Sequence, residues 1–134
     1  MEKTYHGSCH CGRVRFEADI DLAAGSGRCN CSFCAKKRAW NIIIKPADFR
    51  LVAGEDDLGD YQFGSGQNHH HFCKACGIAT YGTGDIKEIG GPYVSVNVAS
   101  LDDVSPEELA GVPVPYMNGR DNNWFAAPKV ISYL

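Results

Sequence analysis

Residues 9–20 read Cys9-His10-Cys11-Gly12-Arg13-Val14-Arg15-Phe16-Glu17-Ala18-Asp19-Ile20, so a cysteine pair leads directly into a strand pattern. Charged and apolar side chains alternate over residues 13–20, and this period of two is typical of a strand with one buried face. The alternation returns over residues 92–99. The 15 glycines are spread along the chain, which suits tight turns between strands. The sequence therefore predicts a mostly β protein with antiparallel sheets and few short helices.

The remaining elements are predicted from shorter patterns between turn residues. Further strands are expected at residues 40–45, 49–53, 58–63, 69–72, 78–81 and 130–133. One short helix is expected after Ser105, because Ser105 can cap it, Pro106 suits its first position and Gly111 can end it. Residues 113–123 are expected to form a loop. With 134 residues, the chain is expected to fold as one domain over residues 1–134.

Composition and charge narrow the classes of partner. The formal net charge is −3, which argues against a general nucleic-acid binder because phosphate contacts need a basic face. The longest aliphatic run is Ile42-Ile43-Ile44, far too short to span a membrane. Residues 1–7 lack the apolar core of a signal peptide. We therefore expect a cytoplasmic protein without a membrane or nucleic-acid partner, whose thiols stay reduced and serve metal binding or catalysis.

Seven cysteines fall into three clusters with the spacings C-x-C, C-x-C-x2-C and C-x2-C. The clusters contain Cys9 and Cys11, then Cys29, Cys31 and Cys34, then Cys73 and Cys76. Zinc in a structural site takes four ligands, and a C-x2-C turn can aim two sulfurs at one point. Glycine follows two of the clusters, at Gly12 and Gly77, where such turns often need a positive φ. We therefore predict that these clusters bind zinc.

The seven thiolates divide naturally into four and three. We assign one zinc to a four-cysteine site that would join two distant sheet segments, made of Cys9, Cys11, Cys73 and Cys76. The second zinc is assigned to the three-cysteine site Cys29, Cys31 and Cys34, which leaves one tetrahedral position for a substrate, as in catalytic sites. Spacing alone leaves other groupings open. It also leaves open that the middle cluster takes a fourth protein ligand, stays a metal-free thiol site or is simply buried.

Three blocks of the sequence, taken in order, resemble those of the glutathione-dependent formaldehyde-activating enzyme family, which also includes centromere protein V. The blocks cover residues 9–16, 29–34 and 72–77, and a weaker match covers residues 96–103. The resemblance implies an Mss4-like fold, with a structural zinc at the four-cysteine site and a catalytic zinc at the three-cysteine site. It also implies a carbon–sulfur lyase that forms S-(hydroxymethyl)glutathione from formaldehyde and glutathione. The sequence departs from the family after Cys34, where Ala35 and a basic run replace the arginines that are often present.

Three functions are compatible with this pattern. The first is a zinc-dependent carbon–sulfur lyase that activates a small thiol such as glutathione at the three-cysteine site. The second is a non-catalytic, zinc-stabilised binding or scaffold module, in which both zincs are structural and the loop over residues 111–128 meets a partner. The third is a redox protein in which a cysteine of the middle cluster reacts as a free thiol of low pKa. The sequence does not indicate an oligomeric state.

Some polar and aromatic residues have two interpretations. The basic run Lys36-Lys37-Arg38 is either a solvated surface segment or a set of cations that pairs with the carboxylates of a thiol substrate. In a strand, His69 and His71 should share one face and His70 the other, as surface or packing residues unless one reaches the cleft as a proton shuttle. Four aromatic residues are expected in the core, with pocket lining as the alternative: Trp40, Tyr93, Trp124 and Phe125.

Overall fold

The computed structural model describes residues 1–134 and contains ten β-strands and two short α-helices. The strands are β1 Lys3–Ser8, β2 Arg15–Ile20, β3 Arg28–Cys29, β4 Asn41–Ile44, β5 Phe49–Ala53, β6 Leu58–Tyr61, β7 His69–Cys73, β8 Ala79–Ile86, β9 Gly91–Asn97 and β10 Tyr116–Met117. The helices are α1 Ser32–Lys37 and α2 Pro106–Ala110. The prediction of a mostly β protein with antiparallel sheets and few short helices is confirmed.

Two antiparallel sheets form the body of the molecule. One sheet has three strands in the order β1-β2-β5, and the other has five in the order β4-β9-β8-β7-β6. The remaining pair, β3 and β10, is parallel and two residues long, with Tyr116 opposite Arg28 and Met117 opposite Cys29. This short pair brings a segment from late in the chain beside the middle cysteine cluster.

The main core contains alternate residues of both large sheets. Phe16 and Ile20 come from β2 and are each 1% exposed, whereas Val94 and Val96 come from β9 and are 4% and 0% exposed. Burying a large apolar side chain contributes roughly 1.5–3 kcal/mol relative to leaving it in water. The period of two that is visible in the sequence therefore places the core face of each strand, and the packing of these faces holds the sheets together.

The predicted strands differ from the observed ones mainly in extent. β5 covers the predicted residues 49–53, whereas β8 continues to Ile86, well beyond the predicted residue 81, and pairs with β9 over six residues. β1 was not predicted. Only two of its six residues are buried, Tyr5 and Gly7, and a glycine supplies no apolar side chain that would reveal the alternation.

The structure has two helices where one was predicted. The expected helix is α2, with the Ser105 side chain accepting a hydrogen bond from the amide of Glu108 and with Pro106 at its first position. The unexpected helix is α1, which begins at the middle cysteine cluster and is followed by Arg38 in the left-handed conformation. At six residues, it is too short for its apolar spacing to show a helical period. Neither helix has the length and apolar character needed to cross a membrane.

The strand predicted at residues 130–133 is wrong. This segment joins no sheet and closes in a turn, where the amide of Leu134 donates to the carbonyl of Ile131 at 3.0 Å. Val130 and Tyr133 are about half exposed. An apolar pattern forms a strand only when a neighbouring edge satisfies its backbone hydrogen bonds, and this segment pairs with none.

Candidate metal centres

The four-cysteine cluster forms where the ends of the two large sheets meet. Cys9 and Cys11 follow β1, Cys73 ends β7, and Cys76 lies in the turn before β8. The sulfur of Cys11 lies 3.6 Å from that of Cys9 and 3.7 Å from that of Cys73, and all four sulfurs lie within 4.8 Å of one another. With Zn–S bonds of about 2.3 Å, a tetrahedral site has sulfur–sulfur edges of about 3.8 Å. The cluster therefore has the size and the donor atoms to hold a zinc ion.

The two cysteine turns of this cluster share one backbone arrangement. The amide of Cys9 donates to the carbonyl of Val14 at 3.0 Å, and the amide of Cys73 donates to the carbonyl of Ile78, also at 3.0 Å. The glycine after each pair takes a positive φ, 82° in the first turn and 80° in the second, as predicted. Residues with a Cβ are strained there, so glycine allows each turn to bring its two sulfurs together.

Burial differs among the four cysteines. Cys9 and Cys73 are buried and pack with the fully buried Val14, whereas Cys11 is exposed and Cys76 is half-buried. A hydrogen bond from the backbone N–H of Cys11 lowers the pKa of the Cys76 thiol to about 6. Thiolates are the form that binds metal, so the lowered pKa of Cys76 favours its use as a ligand near neutral pH. A metal ion held here would tie the three-stranded sheet to the five-stranded sheet.

The three-cysteine cluster lies at the junction of β3 and α1. Cys29 ends β3, Cys31 precedes the first residue of α1, and Cys34 lies in its first turn. The amide of Cys31 donates to the sulfur of Cys29, and the amide of Cys34 donates to the sulfur of Cys31, each at 3.4 Å. The three sulfurs lie within 4.8 Å of one another, and no fourth histidine, cysteine or carboxylate ligand atom belongs to this group. The cluster can hold a metal ion with three protein ligands.

The thiols of this cluster influence one another strongly. A hydrogen bond with Cys34, together with nearby backbone amides, lowers the pKa of the Cys31 thiol to about 5. The same contact with Cys31 raises the pKa of Cys34, and burial raises it further. The positive charge of Lys37 lowers the pKa of Cys34 and so opposes these two effects. One thiolate is therefore stable near neutral pH, and a cation beside the cluster offsets part of its charge.

A segment from late in the chain supports this cluster from one side. The buried side chain of Asn30 donates to the amide oxygen of Asn118 at 2.9 Å and accepts from the backbone amide of Arg120 at 2.9 Å. A Cβ at Gly119 would lie 2.6 Å from the sulfur of Cys29 and 2.7 Å from the ring of Trp124, so only glycine fits there. Sequence reasoning missed the roles of Asn30 and Gly119. The position of Asn30 between two ligands was the available signal.

The three residues of the basic run after the cluster differ in burial. Lys36 and Arg38 are exposed, whereas Lys37 is half-buried with its Nζ 5.2 Å from the centre of the Phe33 ring. Burial lowers the pKa of Lys37, and the charge of Cys34 opposes this change. Of the two interpretations given above, the solvated surface run thus fits Lys36 and Arg38 better than Lys37.

The three histidines of β7 divide between two faces, as predicted. The rings of His69 and His71 stack 6.2 Å apart on one face, and His69 Nδ1 lies 2.7 Å from a carboxylate oxygen of Asp60. On the other face, the ring of His70 lies 4.2 Å from that of Phe33, which belongs to α1. Burial lowers the pKa of His70, and its Nε2 is buried without a hydrogen-bond partner. His70 therefore acts as a packing residue beside the middle cluster.

The expectation that four aromatic residues lie in the core is only partly correct. Trp40 packs against the main core and donates from Nε1 to the Ser26 hydroxyl at 2.7 Å. Tyr93 is half-buried. Trp124 is 47% exposed beside the three-cysteine cluster, and Phe125 is 97% exposed, so neither is a core residue. Both follow the segment that the Asn30 side chain holds in place, where no sheet is present to cover them.

Comparison with known proteins gives three findings. A model of the family described as glutathione-dependent formaldehyde-activating enzyme matches residues 4–117. A Halomonas elongata protein named as a candidate glutathione-dependent formaldehyde-activating enzyme is 31% identical over 83 residues, and the alignment covers 56% of this chain but only 53% of that protein. A crystal structure of a Rhodobacter sphaeroides protein has a TM-score of 0.68 and 38% identity, covering 82% of this chain and 99% of that one.

Proposed function

This chain belongs to the glutathione-dependent formaldehyde-activating enzyme family, and from that premise we propose that it is a zinc-dependent carbon–sulfur lyase. Its substrates would be formaldehyde and a small thiol such as glutathione. The observation that carries the proposal is the group formed by Cys29, Cys31 and Cys34, which has three sulfurs and no fourth protein ligand. A metal site with three protein ligands is typical of catalytic zinc, whereas structural zinc has four.

The residues of both clusters fit zinc by the chemistry of their donor atoms. Cys9, Cys11, Cys73 and Cys76 would hold the structural ion, and the three remaining cysteines would hold the catalytic one. When bound at the three-cysteine site, zinc would stabilise a substrate thiol as its thiolate near neutral pH. The assignment to a reducing, cytoplasmic environment is part of the same proposal, because thiols that bind zinc must stay reduced.

The proposed reaction makes one carbon–sulfur bond without a net oxidation or reduction. The thiolate sulfur supplies the electron pair for the bond to the carbonyl carbon, and the π electrons of the carbonyl move to oxygen, which takes up a proton. Around the site, Lys37 would offset part of the negative charge of three thiolates. Tyr93 keeps its hydroxyl proton because burial raises its pKa, and the charge of Cys34 adds to this effect. Its hydroxyl donates a long hydrogen bond to the side-chain oxygen of Asn68 at 3.4 Å.

The test compares zinc content and turnover in reduced, zinc-loaded wild-type protein and in two variants, Cys31→Ser and Cys76→Ser. We expect about two zinc ions per chain in the wild type and about one in each variant, following the division into three-ligand and four-ligand sites. Formation of S-(hydroxymethyl)glutathione should exceed the spontaneous rate in the wild type and fall to that rate in Cys31→Ser. Cys76→Ser is the matched control, because it also removes one thiol and one zinc ion, but at the four-cysteine site.

Two results would contradict the proposal. If a wild-type protein with two zinc ions leaves the spontaneous rate unchanged, the reaction is wrong, and the non-catalytic scaffold becomes the better hypothesis. If the wild type and Cys31→Ser both contain about one zinc ion, the middle cluster does not bind zinc through its three cysteines. Circular dichroism of each variant establishes that a loss of rate does not come from unfolding.

A further inference from the structure

A groove runs along one side of α1, next to the three-cysteine cluster. Its volume is about 460 Å³, and it is lined by Ser32, Phe33, Lys36, Lys37, Tyr61 and Phe63. Small-molecule sites commonly enclose roughly 300–1,000 Å³ and combine an apolar lining with a few polar groups. We call this feature the aromatic groove. It has the size of a small-molecule site.

The helix places the aromatic groove beside the reactive cluster. Phe33, Lys36 and Lys37 are spaced by three and four residues, so their side chains share one face of α1. Cys34 directly follows Phe33 and lies within the electrostatic range of Lys37. Lys37 both lines the groove and acts through its charge on Cys34, so a molecule whose sulfur sits at the cysteine cluster can extend past Lys37 into the aromatic groove.

The aromatic side chains form a stacked platform that is open to solvent. The Phe33 ring lies 5.8 Å from that of Tyr61 and 5.2 Å from that of Phe63. Tyr61 and Phe63 are 51% and 47% exposed, although each has a large apolar surface. The ring of His70 lies beneath, stacked at 5.3 Å on Phe63. When an apolar group of a ligand covers a contiguous exposed patch of this kind, the burial favours binding.

The charges at the edge of the groove are positive and have no carboxylate partner within the protein. Lys36 and Lys37 both line the groove, and neither belongs to any ion pair of the structure. Lys37 is half-buried and pairs with no carboxylate, and the charge of Cys34 opposes only part of the cost of its burial. A carboxylate held between these two ammonium groups would supply that charge.

We propose that the aromatic groove selects thiol substrates that carry both a carboxylate and an apolar or aromatic body. This inference rests on the proposed function, because it describes the part of the same substrate that extends away from the sulfur. The carboxylate would pair with Lys36 and Lys37, and the apolar body would stack on Phe33 and Phe63. The carboxylates of glutathione could pair with the two lysines, but its polar peptide body would gain little from contact with the aromatic rings. The preferred substrate therefore differs from glutathione in its apolar body.

Binding of unreactive thioethers tests this inference apart from turnover. The probes are (benzylthio)acetate, with both features, (methylthio)acetate, without the ring, and benzyl methyl sulfide, without the carboxylate. Calorimetry on zinc-loaded wild-type protein should give an affinity for (benzylthio)acetate about tenfold above that for (methylthio)acetate, the scale of one stacked aromatic ring. The affinity for (benzylthio)acetate should also exceed that for benzyl methyl sulfide, and this difference should decrease as salt screens the carboxylate.

Variants locate the binding on the groove. Phe63→Ala should weaken (benzylthio)acetate binding about tenfold, and Lys36→Ala about threefold, as expected for an exposed ring and an exposed ion pair. The matched controls are Phe125→Ala, which removes a 97% exposed ring outside the groove, and Lys45→Ala, which removes an exposed lysine elsewhere. Both controls should bind as the wild type does.

The outcomes separate the two proposals. If the variants weaken thioether binding but the wild type leaves the formaldehyde reaction at its spontaneous rate, the groove is a binding site and the proposed reaction is wrong. If turnover with glutathione is present but Phe63→Ala and Lys36→Ala bind (benzylthio)acetate like the wild type, the groove does not select the substrate and this inference is overturned. Equal affinity for all three probes overturns it as well.

Discussion

At the scale of single residues, glycines let aromatic rings lie flat on the sheets. Gly7 of β1 lies opposite Phe16 of β2, and the ring of Phe16 covers it. A Cβ at Gly7 would lie between 2.2 and 2.8 Å from three atoms of that ring. Phe16 is only 1% exposed, so the surrounding core gives its ring little space to move. The pair thus depends on the absence of a side chain at Gly7.

Replacing Gly7 should therefore destabilise the protein through overpacking. We expect Gly7→Ala to lower the free energy of unfolding by about 1–3 kcal/mol, measured by urea denaturation of zinc-loaded protein. The control is Gly111→Ala, where a Cβ would meet its nearest atoms at 3.6 Å and φ is −87°, so its effect should stay within about 0.5 kcal/mol. Equal stability of the two variants would mean that the Phe16 ring moves aside without cost.

At the scale of single elements, α2 is held by its first turn. The Ser105 hydroxyl accepts a hydrogen bond from the amide of Glu108, while the Glu108 carboxylate accepts one from the amide of Ser105. The same carboxylate accepts a hydrogen bond from the Tyr5 hydroxyl at 3.0 Å and lies 3.2 Å from Lys3 Nζ. A five-residue helix is too short to be stable alone, so these contacts fix it against β1.

Removal of the cap tests this view of α2. Ser105→Ala should lower the free energy of unfolding by about 1 kcal/mol, because the amide of Glu108 loses its acceptor. Ser65→Ala is the matched control, since Ser65 lies exposed in a loop and its side chain makes only one hydrogen bond, accepted from the amide of Gln67 at 3.4 Å. Denaturation curves that shift by the same amount in both variants would show that the cap contributes nothing specific.

At the scale of the whole molecule, the four-cysteine cluster joins the two large sheets. Cys9 and Cys11 extend from the three-stranded sheet, and Cys73 and Cys76 belong to the turn between two strands of the five-stranded sheet. The local apolar cluster has only three buried members, and two of them are the ligand candidates Cys9 and Cys73. A metal ion bound there would add a cross-link where the apolar core is small.

Zinc removal should consequently weaken the whole fold and not only the reaction. Treatment with a strong chelator is expected to lower the free energy of unfolding by at least a few kcal/mol, because binding free energy in a structural site contributes to folding. Cys76→Ser should reproduce most of this loss, whereas Cys31→Ser should reproduce little of it. Thermal unfolding followed by circular dichroism measures both. Equal losses in the two variants would contradict the division into a structural site and a site for chemistry.

Much of this organisation was readable before the structure. The alternating pattern predicted β2 and β9, and the capping residues predicted α2. The spacing of the cysteines favoured a division into four and three but left other groupings open, and in the folded chain the sulfurs lie in one group of four and one of three. β1 and α1 were not predictable in this way. In β1, one of the two buried positions is a glycine, so no apolar alternation is visible, and α1 is too short to show a helical period.

Local patterns thus specified strand faces, caps and ligand pairs, since each of these depends on residues a few positions apart in the chain. The contacts around the three-cysteine cluster depend on residues far apart, and only the folded chain brought them together. Asn30 reaches Asn118 and Arg120, and Phe33 meets Tyr61 and Phe63. The same reason explains the absent strand at residues 130–133: an apolar alternation becomes a strand only where another edge supplies its hydrogen bonds, and that partner is decided by the tertiary structure.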